Sequence, residues 1–234
     1  MIRLVKQVGC TALLLTVTHL ASAQQPTAQQ RAAELKESMA KSTVLLRQYE
    51  WIETTTVSLK GDEKSKTVNR CYYGEDGKIA KVPVVAPPPE EKKRGLRGKI
   101  AENKKEELKG YMQEAVALCK TYMPPDAARL DASKDAGKLS LQILEPGKHV
   151  RLTFGDYLKP GDSLAIDVGL EGNRLLEARV KSYLDSEKEP VDLQINFGAL
   201  RDTSATYPSN IVLDCPGKKL KVIVDNSGYR RTSQ

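Results

Sequence analysis

The chain has 234 residues, 37 of them Lys or Arg and 30 Asp or Glu, for a formal net charge of +7. That length allows one large domain or two small ones, and so modest a positive balance is not the signature of a nucleic-acid-binding surface. With one Trp and two Phe, the sequence is also poor in the aromatic platforms that sugar-processing enzymes present to their substrates.

The N-terminus predicts export. Arg3 and Lys6 precede the mostly apolar VGCTALLLTVTHLASA, and Ala21-Ser22-Ala23 forms an A-x-A cleavage site ahead of polar QQPTAQQ. This is the pattern of a secretory signal peptide over residues 1–23. The apolar stretch is short for a membrane span, which needs about 20 residues. Cys10 stands before the apolar core, so it does not mark a lipidation site. Loss of Arg3 and Lys6 takes the charge to +5. Export also removes nucleic acid from the partners to be expected.

From residue 24 onward the pattern reads as one α+β domain. Residues 27–48 carry Leu35, Met39 and Leu46 at helical spacing, behind Thr27 as N-cap. Over 49–85 the period changes to two. Tyr49, Trp51, Thr55, Val57 and Leu59 share one parity, and turns at KGDEK and GEDGK predict a three-strand meander. Pro87-Pro88-Pro89 ends the sheet. Residues 86–98 are a linker whose Lys92, Lys93, Arg94, Arg97 and Lys99, the last just beyond it, make a basic knot. Its leading reading is a solvated crossover; its functional reading is a patch for an anionic envelope surface, each cation contributing about 1 kcal/mol near such lipids.

Residues 99–137 predict two helices, the first with Leu108, Met112, Leu118 and Tyr122 along one broad face, stopped by Pro124-Pro125. From 138 to 229 about seven short strands follow, separated by turns such as EPGK, KPGD and PGK. In VDLQINF, Val191, Leu193, Ile195 and Phe197 face one way and Asp192, Gln194 and Asn196 the other. One-sided strands require a cover, and the helices are the available cover. The expected fold is α+β, a curved antiparallel sheet of about ten strands, unclosed and covered by α-helices.

The chemistry of the residues argues against catalysis. His149 is the one histidine outside the signal peptide, at the turn before a strand, and no G-x-S-x-G motif accompanies it. Glycine-rich phosphate loops and clustered metal ligands are lacking, so no cofactor and no metal are expected. Asp156, Asp162 and Asp167 lie near one hairpin and Glu75-Asp76 at a turn tip, but GEDGK and KPGD, which hold Glu75, Asp76 and Asp162, read first as turn chemistry. Facing carboxylates in a cleft would reopen a hydrolase reading. Cys71, Cys119 and Cys215 allow one disulfide in any of three pairings plus an odd thiol, or serve as three small apolar core residues.

The order of elements resembles the periplasmic lipoprotein carriers of the LolA/LolB-like fold. The likeness is sharpest in DSLAIDVGLEGNRLLEARVKSYLDSEKEPVDLQINF, residues 162–197, and in YPSNIVLD, residues 207–214. The resemblance implies an unclosed barrel whose apolar cavity accepts acyl chains beneath a movable helical lid, and a periplasmic location. On that reading the protein is a non-enzymatic carrier or binder of an acyl-bearing envelope lipid or lipoprotein. Trp51, Val57, Leu193, Ile195 and Phe197 from the strands and Leu108, Met112 and Leu118 from the lid are then candidates to line the cavity. The alternative is an envelope interaction or structural protein with a filled core, which works through its surface.

Overall fold

In the computed structural model, residues 28–84, 96–203 and 205–232 are described; the expected signal peptide and the linker cations Lys92, Lys93 and Arg94 lie outside them. A helix, α1 (Ala28–Leu46), leads into β1 (Tyr49–Leu59), β2 (Asp62–Tyr73) and β3 (Ile79–Pro83). Helices α2 (Leu96–Lys120) and α3 (Ala127–Asp135) follow. Seven strands complete the chain: β4 (Leu139–Glu145), β5 (His149–Gly155), β6 (Ser163–Gly169), β7 (Arg174–Tyr183), β8 (Pro190–Ala199), β9 (Thr206–Cys215) and β10 (Leu220–Arg231). All ten strands form one antiparallel sheet in the order β3-β2-β1-β10-β9-β8-β7-β6-β5-β4. It is open at β3 and at β4, as an unclosed half-barrel must be. The last strand inserts beside the first, so the meander and the terminal strands share one sheet.

The two-residue period decides which side the helices take. One rung of register partners reads Leu139, Phe154, Leu164, Val180, Leu193, Leu213, Val222, Val57. A rung three residues along, on the opposite face, reads Gln142, Arg151, Asp167, Glu177, Asn196, Asn210, Asp225, Thr54. A slip of one residue would exchange the two sets, so burial of the first holds the register. The apolar side, concave and helix-covered, carries the main core of Phe154, Leu164, Val180, Leu193, Leu213 and Leu220 with their neighbours.

Local chemistry sets the joints. Lys60 and Gly61 both take positive φ (56° and 88°), closing the first hairpin in two residues. The predicted KGDEK turn is therefore shorter than expected: Asp62-Glu63-Lys64 already belongs to β2. Asp126 caps α3 by accepting a hydrogen bond from Arg129 N at 3.1 Å. Ser133 then ties α3 to the sheet through Oγ donating to Gly155 O at 2.8 Å. Ser42 of α1 accepts from Thr206 N at 3.0 Å, and Leu46 buries with Tyr49, Leu200 and Ala205 in a second, smaller core.

Candidate functional site

The seam between α2 and the concave face is the place where helices and sheet meet over apolar side chains from both. Tyr111, Ala115, Cys119 and Tyr122 recur at spacings of four, four and three, and all are buried in the main core. They seat α2 directly on the sheet. Beside them Leu108, Met112 and Leu118 of α2, Met39 of α1, and Val57, Phe197, Ile211 and Val222 of the strands are half-buried and pack against that core. Of the eight residues the sequence singled out, seven meet in this one cluster: Val57, Leu108, Met112, Leu118, Leu193, Ile195 and Phe197.

Trp51 does not join them. Its ring stacks on Tyr229 at 5.4 Å and tilts against Tyr73 at 5.7 Å, while Tyr229 meets Tyr207 at 4.2 Å. The indole Nε1 donates to Asn226 Oδ1 at 3.1 Å, and Asn226 Nδ2 donates to Pro208 O at 2.9 Å. Parity put Trp51 on the correct face but at the far end of β1, where the register shifts between Glu50 and Ile52. Gly198 is required here: a Cβ would meet the Tyr207 ring at 2.9 Å. An aromatic group thus exists in a chain that composition marks as aromatic-poor, because tyrosines from β2, β9 and β10 converge. The same-parity spacing of Cys71 and Tyr73 in TVNRCYY was the available signal for part of it. Next to it Glu53, nearly buried on the concave side, receives both hydrogen bonds of an inward-turned Lys81, at 2.6 and 2.8 Å.

The C-terminal end of α2 is latched by polar atoms. Tyr122 Oη donates to Asp162 Oδ2 at 2.5 Å and shares a 2.8 Å hydrogen bond with Ser182 Oγ. Asp162 also accepts from Lys159 N at 2.9 Å, and Tyr157 Oη accepts from Asp126 N at 2.7 Å. Asp162 therefore does turn chemistry, as its sequence context suggested, with the added task of holding Tyr122.

On the convex face Asp167 and Glu177 stand directly opposite one another. Two facing carboxylates are the arrangement an acid–base pair would need. Each, however, is clasped by its own arginine: Arg151 Nε and Nη2 donate to Asp167 at 2.6 and 2.7 Å, and Arg179 donates to both oxygens of Glu177 at 2.6 Å. Two forked ion pairs thus occupy the carboxylate oxygens that an acid–base pair would need to turn toward a substrate. His149 opens β5, at the strand start where the sequence placed it. It is half-buried, with Nε2 3.4 Å from Asp167 Oδ2. Glu50 lies in a shallow convex pocket with Ile52, Gly228, Arg70 and Arg230, and pairs with both arginines.

Among the described residues no group of His, Cys, Asp and Glu is placed to hold a metal ion, and no helix is long and apolar enough to cross a membrane. Arg97 and Lys99 of the basic knot fall in the first turn of α2.

All three described cysteines are free and buried. Burial pushes the Cys71 and Cys215 thiols up to about 11 and Cys119 up to about 12. Unfolded thiols ionise near 9.0, so between pH 9 and 11 the unfolded chain sheds protons that the folded chain keeps. Stability is therefore intact below pH 9 and falls as pH rises through that window, by up to about 1.4 kcal/mol per pH unit for each thiol. Thermal melts from pH 7 to 11 should show a midpoint that is level at first and then drops beyond pH 9. A midpoint unchanged to pH 11 would contradict the burial of these groups.

The molecule is an α+β protein with an unclosed ten-stranded antiparallel sheet and a helical cover, the architecture that the LolA-like resemblance implied. No family model matches the sequence, and no curated protein matches it. Among solved structures it is similar to a LolA superfamily protein from Nitrosomonas europaea, with 10% identity, a TM-score of 0.37, and 85% of this chain and 94% of that one covered. A DUF1329 family protein from Desulfovibrio piger is similar at 10% identity and a TM-score of 0.45, covering 87% and 91%. MucB, solved in complex with the periplasmic part of MucA, is similar at 9% identity and a TM-score of 0.23, covering 87% and 100%.

Proposed function

We propose that the protein is an exported, non-enzymatic binding protein of the periplasm that takes the acyl chain of an envelope lipid or lipoprotein between α2 and the concave face. The observation behind this reading is the seam itself. Leu108, Met112 and Leu118 of the helix and Val57, Phe197, Ile211 and Val222 of the strands are all half-buried and pack against the same apolar core. Lifting α2 by a few ångströms along this margin would expose apolar surface on both sides. An acyl chain would cover it again at about 25 cal/mol per Å². The predicted signal peptide supplies the compartment.

The buried row Tyr111, Ala115, Cys119 and Tyr122 favours a second reading, in which the core stays filled and the protein works through its outer surface, including the basic knot.

Native mass spectrometry of residues 24–234 purified gently from an envelope fraction distinguishes the two. The carrier reading expects a stoichiometric acyl species. Met112→Glu, which places a charge at the half-open margin and leaves the buried row untouched, should weaken uptake of a fluorescent fatty acyl probe by at least about tenfold, equivalent to 1.4 kcal/mol. A bare mass with no probe uptake leaves the surface reading.

A further inference from the structure

The two edges of the sheet are built differently. β3 is five residues long, contains Pro83, and turns Lys81 inward to Glu53. Short length, proline and an inward charge are devices that stop an edge from recruiting another strand. β4 has none of them. LSLQILE carries no proline and no charge before Glu145, and among the described residues β5 is its one strand partner. Leu141 and Ile143 lie on the concave side by register, opposite Leu152 and Val150, yet remain 62% and 61% exposed. Among the described residues no helix covers them.

We propose that β4 is a self-association edge: two copies of the chain pair β4 with β4, antiparallel about a twofold axis through Gln142, so that the sheet continues from one subunit into the next. The strand is its own complement. With Gln142 on the axis, Leu141 of one copy stands opposite Ile143 of the second, and Ile143 opposite Leu141, all four on the concave side. Ser140 and Gln142 stay on the polar convex face. The ends agree in charge: Lys138 precedes the strand and Glu145 closes it, so antiparallel pairing places opposite charges together and parallel pairing would place like with like. Lys138 already holds Asp156, and Glu145 holds Lys148 at 2.7 Å. The charges therefore orient the pairing more than they strengthen it. A seven-residue edge with two apolar cross-pairs falls below the roughly 1,200 Å² of stable complexes. The dimer is therefore weak and concentration-dependent.

Sedimentation equilibrium of the purified protein over about 1–500 µM tests this. The weight-average mass should climb from monomer toward dimer. Ile143→Lys should weaken association at least about tenfold with an unchanged circular dichroism spectrum and melt. Val84→Lys, an exposed position beside the β3 edge, should leave association unaltered. Should Ile143→Lys fail to fold, cross-linking decides: Gln142→Cys in a glutathione redox buffer should give a disulfide-linked dimer, and Ser140→Cys should not. A monomer at every concentration overturns the proposal. So does a dimer that Ile143→Lys leaves intact, or equal cross-linking at 140 and 142.

Discussion

Tyr122→Ala is expected to lower the free energy of unfolding by about 3–5 kcal/mol, the range for deleting a large buried aromatic. Tyr122 has no exposed surface and packs its ring on Tyr157 at 5.5 Å. Its Oη donates to the buried Asp162 carboxylate at 2.5 Å. Alanine would leave a cavity at the one point where the end of α2, the β5–β6 turn and β7 are joined. Tyr122→Phe separates packing from hydrogen bonding. It keeps the ring and removes the hydrogen bonds to Asp162 and Ser182, while Asp162 still accepts from the Leu158 and Lys159 amides. The expected cost is about 1.5–3 kcal/mol. Urea denaturation of both variants, with hydrogen exchange along α2, gives the comparison. An alanine variant within 1 kcal/mol of the parent would mean that this latch does not hold the helix.

The second large effect concerns the convex face. Arg151→Ala should destabilise by about 3–5 kcal/mol, because it strands a carboxylate whose side chain is only 3% exposed. Asp167→Ala should be milder. Arg151 is 21% exposed and already feels the Glu177 charge, so its guanidinium can turn toward water or toward Glu177. The double variant should then recover stability relative to Arg151→Ala alone, since no buried charge is left without a partner. Equal losses for the two single variants, or strictly additive ones, would show that the pair does not act as a unit.

The fold was legible because its determinants are local. Alternation in VDLQINF and KLKVIVD, the GEDGK and PGK turns, and the helical spacing of Leu108, Met112 and Leu118 each need only a few neighbouring residues to be read. They lead to a covered, one-sided antiparallel sheet with the helices on its apolar face. That seven of the eight residues named from the sequence turn toward one core follows from the same argument, since parity on a strand and period on a helix both name the face that turns inward. The hairpin at Lys60-Gly61 was misjudged by three residues, because charged DEK reads as loop although its backbone is paired.

What the chain alone determined is which face each segment buries and where it turns, a property carried by side chains two or four residues apart. Which buried faces meet was decided by the tertiary structure. Insertion of β10 beside β1 brings Asn226 to Trp51 and Tyr229 onto the indole, contacts between residues about 175 positions apart. The descent of α2 brings Tyr122 to Asp162 and Ser182, and the pairing of β5 with β6 gives Asp167 its arginine. Strand order and register are collective: they are selected by the burial of the whole sheet face at once. A polar residue set in an apolar strand, such as the aspartate of SLAIDVG, announces that it needs a partner; only the assembled sheet supplies one.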